Sequence, residues 1–141
     1  MQLELMPFKK SIVALETSLD VYDSPLTLDD SVMAKQLREK AIQAFEVSYD
    51  LMWQVLRHYL VLASVLQVED MDDLAFAKLV QVANEQGLLR SKLDAWTVFS
   101  ALREITLDPY DEEQADEVFS FLSDYLVEAK FLFDQLSKRS K

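Results

Sequence analysis

One stretch of the chain gathers side chains able to do chemistry: Arg103-Glu104-Ile105-Thr106-Leu107-Asp108-Pro109-Tyr110-Asp111. A guanidinium, carboxylates and a phenol are the groups that hold anions, move protons and carry transferred groups. The same stretch also has a plain structural reading. Asp108 followed by Pro109 fits an N-cap and first helical position, with acids suiting the helix dipole and Arg103 pairing with Asp108 or Glu112. A second candidate is Glu46 with Asp50, four residues apart on one helix face and one turn before Trp53. That pair could bracket a metal or a substrate, or be an ordinary solvated acidic face. His58 is the only histidine, so mechanisms needing two imidazoles are excluded; beside Arg57 it is expected to be partly exposed and inert. No His-Glu-x-x-His pattern occurs, and no metal site is expected. A single glycine, Gly87, rules out a P-loop, a dinucleotide fingerprint and a Gly-Ser nucleotidyltransferase loop. Any chemistry on a nucleoside triphosphate therefore belongs to another protein, and no cofactor is expected.

These residues must be positioned by helices. From about Asp30 to about Gln67 the chain has neither Gly nor Pro, and Leu37, Ala41, Ala44, Ser48, Leu51, Val55, Tyr59, Leu62 and Leu66 recur at helical spacing. This long central helix is the axis on which the others are laid. A first helix is predicted from about Pro7 to about Tyr22, with Phe8, Ile12, Leu15, Leu19 and Tyr22 inward and Pro7 at N1. Asp23-Ser24-Pro25 ends it, and Thr27 with Asp30 resembles a capping box for the long helix. The acidic run Glu69-Asp70-Met71-Asp72-Asp73 supplies N-cap candidates for a third helix carrying Leu74, Phe76, Leu79, Val80 and Ala83, which stops at Gly87. A fourth runs from about Ser91 to about Leu107 with Leu93, Trp96, Phe99, Leu102 and Ile105 buried. A fifth runs from about Pro109 to about Ser137, with Ala115, Val118, Phe119, Leu122, Leu126, Ala129, Phe133 and Leu136 inward. The basic tail from Lys138 to Lys141 suits a helix C-terminus. The expected fold is all-α, an up-and-down four- or five-helix bundle forming a single domain over residues 1–141.

Composition bounds the partners. Half of the 141 residues are hydrophobic, enough for a sizeable core, and there is no cysteine for disulfides or thiolate metal sites. A formal charge of −11 opposes broad nucleic-acid binding, leaving at most a weak local site for nucleotide or RNA. No signal-peptide order opens the chain and no run of about 18 apolar residues occurs, so a cytoplasmic protein without a membrane span is expected. Trp53, Trp96 and most Phe read as core at their helical spacing. Apolar flank surface makes homodimerisation through the second or fifth helix an expected outcome.

The segment Phe45-Glu46-Val47-Ser48-Tyr49-Asp50-Leu51-Met52-Trp53-Gln54-Val55-Leu56-Arg57-His58-Tyr59-Leu60 resembles the Phe-Glu-x-x-Tyr-Glu-Leu-x-Trp-Lys-x-Leu-Lys-x-Tyr-Leu signature of the nucleotidyltransferase substrate-binding proteins, part of the all-helical HEPN superfamily. The likeness continues through Gly87-Leu88-Leu89, Trp96 and the Arg103-to-Tyr110 loop, and so covers nearly the whole chain. It implies an HEPN-like fold and a partner, a small minimal nucleotidyltransferase in a two-component, toxin–antitoxin-like system. In the toxin members the loop reads Arg-x(4)-His-x-Tyr, usually with Asn after the Arg; Arg and His act in metal-independent RNA cleavage, and the Tyr can be adenylylated by the partner. Here Arg103 and Tyr110 match, whereas Asp108 stands in the His position and Glu104 in the Asn position. An Asp of ordinary pKa, near 4, is a weak base at pH 7 and offers no cation to a phosphate. Negligible ribonuclease activity is therefore expected.

The leading expectation is a non-catalytic binding subunit with Arg103, Tyr110, Glu46, Asp50 and Trp53 as binding or acceptor residues. A ribonuclease toxin using Arg103, Asp108 and Tyr110, silenced by adenylylation of Tyr110, is the enzymatic alternative; it needs Asp108 desolvated. A purely structural bundle is the third.

Overall fold

A computed structural model describes residues 3–23, 31–70 and 74–139 of the chain. Six α-helices follow one another: α1 (Met6–Tyr22), α2 (Ser31–Leu62), α3 (Phe76–Glu85), α4 (Leu93–Leu107), α5 (Glu112–Ser120) and α6 (Leu122–Arg139), with a 3₁₀ turn at Val68–Asp70. No strand occurs among the described residues, and the fold is an all-α, up-and-down bundle. The 32 residues of α2 make an axis of about 48 Å. Along it lie α1, α4, α5 and α6, while α3 packs on α4.

The ends of the helices show where local signals sufficed. Helix α1 starts one residue before Pro7, and Phe8, Ile12, Leu15 and Leu19 are buried as expected, with Tyr22 half-buried against Phe119. The expected stop at Ser24-Pro25 and the Thr27–Asp30 cap lie outside the described residues, as do Met71, Asp72 and Asp73. Helix α3 closes on Gly87 at φ +73°, with the Leu88 N–H donating to Ala83 O and the Gly87 N–H to Asn84 O, a Schellman motif. Its N-cap is Ala75, which offers no side-chain cap, in place of the acidic residues expected there.

Three expectations are corrected. The long helix ends at Leu62, not near Gln67. There Ser64, at φ +62°, takes the left-handed position, with Val65 N–H to Leu60 O and Ser64 N–H to Val61 O, so the same motif closes α2 without a glycine. The buried stripe of α2 is also rotated from the expected one. It runs through Arg38, Ala41, Ile42, Phe45, Ser48, Tyr49, Met52, Trp53, Val55, Leu56 and Leu60, keeping Ala41, Ser48 and Val55 of the expected set, whereas Leu62 is 39% exposed and Leu37, Ala44, Leu51, Tyr59 and Leu66 are half-buried. Neighbours on several sides of α2 draw its aromatic flank inward. Finally, the expected fifth helix is two. The Phe121 N–H bonds back to Val118 O in a tight turn, and α6 restarts at Leu122.

Inside, Phe45, Tyr49, Trp53, Trp96, Phe99 and Tyr125 form a chain of edge-on and tilted rings with centroids 4.9–6.3 Å apart. Such pairs contribute about 1 kcal/mol each beyond the area they bury. The fully buried Tyr125 hydroxyl is satisfied by Ser48 Oγ at 2.7 Å, and burial pushes its phenol well above the ordinary tyrosine range.

Candidate functional site

The loop between α4 and α5 does not start a helix at Pro109. Asp108 is the extended C-cap residue of α4, and Pro109, Tyr110 and Asp111 continue as irregular chain. The N-cap of α5 is Asp111: its Oδ1 accepts from the Gln114 N–H at 2.8 Å, while Gln114 Oε1 accepts from the Asp111 N–H at 3.1 Å. Asp111-x-x-Gln114 satisfies two orphan donors at once.

Arg103 does not pair across the turn. Its side chain, 16% exposed, reaches back to α2, where Nε donates to Asp50 Oδ1 at 3.1 Å and Nη2 to Asp50 Oδ2 at 2.7 Å. The remaining Nη1 donates to Thr106 Oγ1 at 3.0 Å, and the Thr106 hydroxyl donates to Arg103 O. This two-pronged pair pins α4 to α2 and raises the Arg103 pKa, chiefly through the Asp50 hydrogen bond.

Glu46, one turn before Asp50, is half-buried in the same corner. Burial raises its pKa, the Arg103 charge lowers it, and Asp50 raises it. Tyr110 lies half-buried against the core; burial first, then Glu46 and Glu39, push its phenol up, and Arg38 acts the other way. Glu46 thus links the Arg103–Asp50 pair to Tyr110, whose other charged neighbours are Glu39 and Arg38. Glu104 and Asp108 are exposed.

Two named residues stand apart from that corner. Trp53 is 6% exposed and walled by Trp96, Phe76 and Tyr49, so it is a core residue with almost no surface to present. His58 is half-buried farther along α2. Among the described residues no three metal-ligating side chains come together.

Residue-by-residue reading missed Arg38. It is 9% exposed, with Nη1 2.6 Å from Asp116 Oδ1 and Nη2 2.5 Å from Glu112 Oε2; Lys35 Nζ stands 2.9 Å from Glu112 Oε1. An arginine on the stripe of Ile42, Phe45 and Tyr49 was the available signal. Tyr49 was missed as well: burial pushes its phenol up, opposed by Ser100 and Trp53, and it lies close enough to Arg103 to feel its charge.

The family described as nucleotidyltransferase substrate binding protein like matches residues 3–138. A protein of Haemophilus influenzae called probable ribonuclease HepT is 28% identical over 114 residues, 81% of this chain and 77% of its own length. A solved structure from Haemophilus influenzae, described as revealing the fold of a substrate binding domain of a nucleotidyltransferase, matches with a TM-score of 0.85 at 25% identity, covering 95% of this chain and 99% of that one.

Proposed function

The chain belongs to the nucleotidyltransferase substrate binding protein like family, and from that premise we propose that it is the non-catalytic partner of a small minimal nucleotidyltransferase, a cytoplasmic, homodimeric single-domain protein that presents substrate, or its own Tyr110 loop, to that enzyme. The observation that carries this reading is the state of Arg103. Both prongs on its Asp50 side are taken, and its third donor is held by Thr106. A phosphate would have to displace the Asp50 carboxylate in a corner that also holds Glu46. Electrostatics there disfavour RNA and suit a basic protein surface.

The second reading is a ribonuclease toxin, favoured by the printed name of the Haemophilus influenzae relative and by the approach of Glu46 to both Arg103 and Tyr110. It needs Asp108 to act as base, yet within one chain Asp108 is exposed. A single pair of measurements divides the two. Purified wild-type protein and Arg103→Ala are incubated with total RNA, and both are expected to leave it intact. RNA loss with wild type that vanishes in Arg103→Ala establishes the nuclease instead. In parallel, co-expression with a minimal nucleotidyltransferase is expected to give a co-purifying complex. Mass analysis after ATP and Mg²⁺ then reads whether Tyr110, and not a Tyr110→Phe control, gains AMP; that result excludes a purely structural bundle.

A further inference from the structure

On the α4–α6 side of the bundle lies a cleft of about 350 Å³. Ala95, Val98, Phe99, Phe121 and Val127 give it apolar walls, and Glu128, Asp124 and Arg90 give it its polar groups. Glu128 is the unusual member. Its side chain is 4% exposed; Oε2 accepts from Arg90 Nη1 at 2.7 Å, but Oε1 is buried and has no hydrogen-bond partner. A buried carboxylate oxygen left without a donor is costly, and native proteins rarely keep one without a reason.

The charges say what would complete it. Two carboxylates face one guanidinium, so an anion is disfavoured. A bare metal ion is disfavoured too, because no third ligand joins them among the described residues. What fits is a donor-rich cation with an apolar body, the head on Glu128 and the body between Phe99, Phe121, Val98 and Val127. Arg90 already imitates the head: its side chain, 56% exposed, reaches the buried carboxylate from outside. Only the Arg90 end of the pair is solvated, so its guanidinium can swing out to water when a ligand's cation takes its place on the buried carboxylate.

We propose that the α4–α6 cleft is a binding site for a small organic primary ammonium, with Glu128 as the charge acceptor and Arg90 as a displaceable occupant of its mouth. The site is separate from the Arg103 corner, and it stands or falls independently of the nucleotidyltransferase partnership.

The test uses the full chain and 2-phenylethylammonium, followed by NMR shifts of the Val98 and Val127 methyls. Saturable binding is expected, with 2-phenylethanol, the neutral counterpart, at least about tenfold weaker. Arg90→Ala removes the competing guanidinium and is expected to tighten ammonium binding about threefold or more, while Glu128→Gln loses it. A merely structural Arg90–Glu128 pair predicts the opposite for Arg90→Ala, weaker binding or none. The proposal is overturned by equal binding of the amine and the alcohol, by weaker binding in Arg90→Ala, or by no binding to wild type and Arg90→Ala up to about 10 mM. Should Glu128→Gln fail to fold, the contrast between amine and alcohol on wild type decides.

Discussion

Arg103 and Arg38 each tie a neighbouring helix to α2 with short hydrogen bonds to carboxylates, and they do so to different ends. Arg38 is on α2 itself, buried in the aromatic stripe, and divides its guanidinium between Glu112 and Asp116 on α5. Its Nε is buried and unpaired, so the arrangement is complete only toward α5. Arg103 comes from α4, gives two donors to the single carboxylate of Asp50 and a third to Thr106, and has the half-buried Glu46 close by. The first is a clamp closed by two acids that are themselves 62% and 71% exposed, and its charge is the one Tyr110 feels; the second is a cation engaged by Asp50 and Thr106. Two arginines with similar bond lengths thus stand in different electrostatic surroundings. What separates them is the charge left over around each.

Breaking the clamp is expected to have the largest effect. Arg38→Ala removes a buried guanidinium and frees α5 from α2, and should cost about 2 kcal/mol, its acids being solvated enough to soften the loss. A thermal melt checks it; an unchanged midpoint means the clamp contributes nothing. Asp50→Asn comes next, at about 1 kcal/mol, because a neutral amide still accepts one hydrogen bond from Arg103. It should also sharpen the contrast. With Arg103 no longer neutralised, retention of short RNA at low salt is expected to rise, whereas Arg38→Ala should not change it. The smallest effect is the pH-dependent one. Arg38 first, then Lys35, hold the Glu112 carboxyl down from 4.5 to about 2. A group with a depressed folded-state pKa stabilises above its unfolded value and loses that contribution as pH falls through the folded one. Glu112→Gln should therefore melt lower than wild type near neutral pH, with the gap closing as pH falls from about 4.5 toward 2. Because Glu112 is exposed, high salt should narrow the gap too.

The two Schellman endings explain how far the sequence could be read. Gly87 announces the end of α3, since a residue without Cβ marks the left-handed position. The end of α2 uses the same backbone with Ser64, a residue that carries no such signal, and the helix was overrun by five residues. The break at Phe121 is silent for a similar reason: Val118, Phe119, Ser120, Phe121 and Leu122 contain neither Gly nor Pro, and packing alone decides the turn. For the site, the residue types were legible and the partners were not. Asp50 and Arg103 are 53 positions apart, and local spacing offered Asp108 and Glu112 first. Glu112 in fact belongs to Arg38 and Lys35. Glu46 and Asp50 could be placed on one helix face, but which of them meets Arg103 depends on how α4 crosses α2, a tertiary fact.

The two indoles, Trp53 and Trp96, are the only ones in the chain, and their rings meet at 5.5 Å and 75°. Chromophores that near couple their transition dipoles, so the protein carries a native optical gauge in its near-ultraviolet circular dichroism and in the blue-shifted emission of both dry rings. That signal reports α2 and α4 moving apart, and it needs no label. A ligand that merely settles on the surface leaves it alone, while any event that pries those two helices from each other extinguishes it.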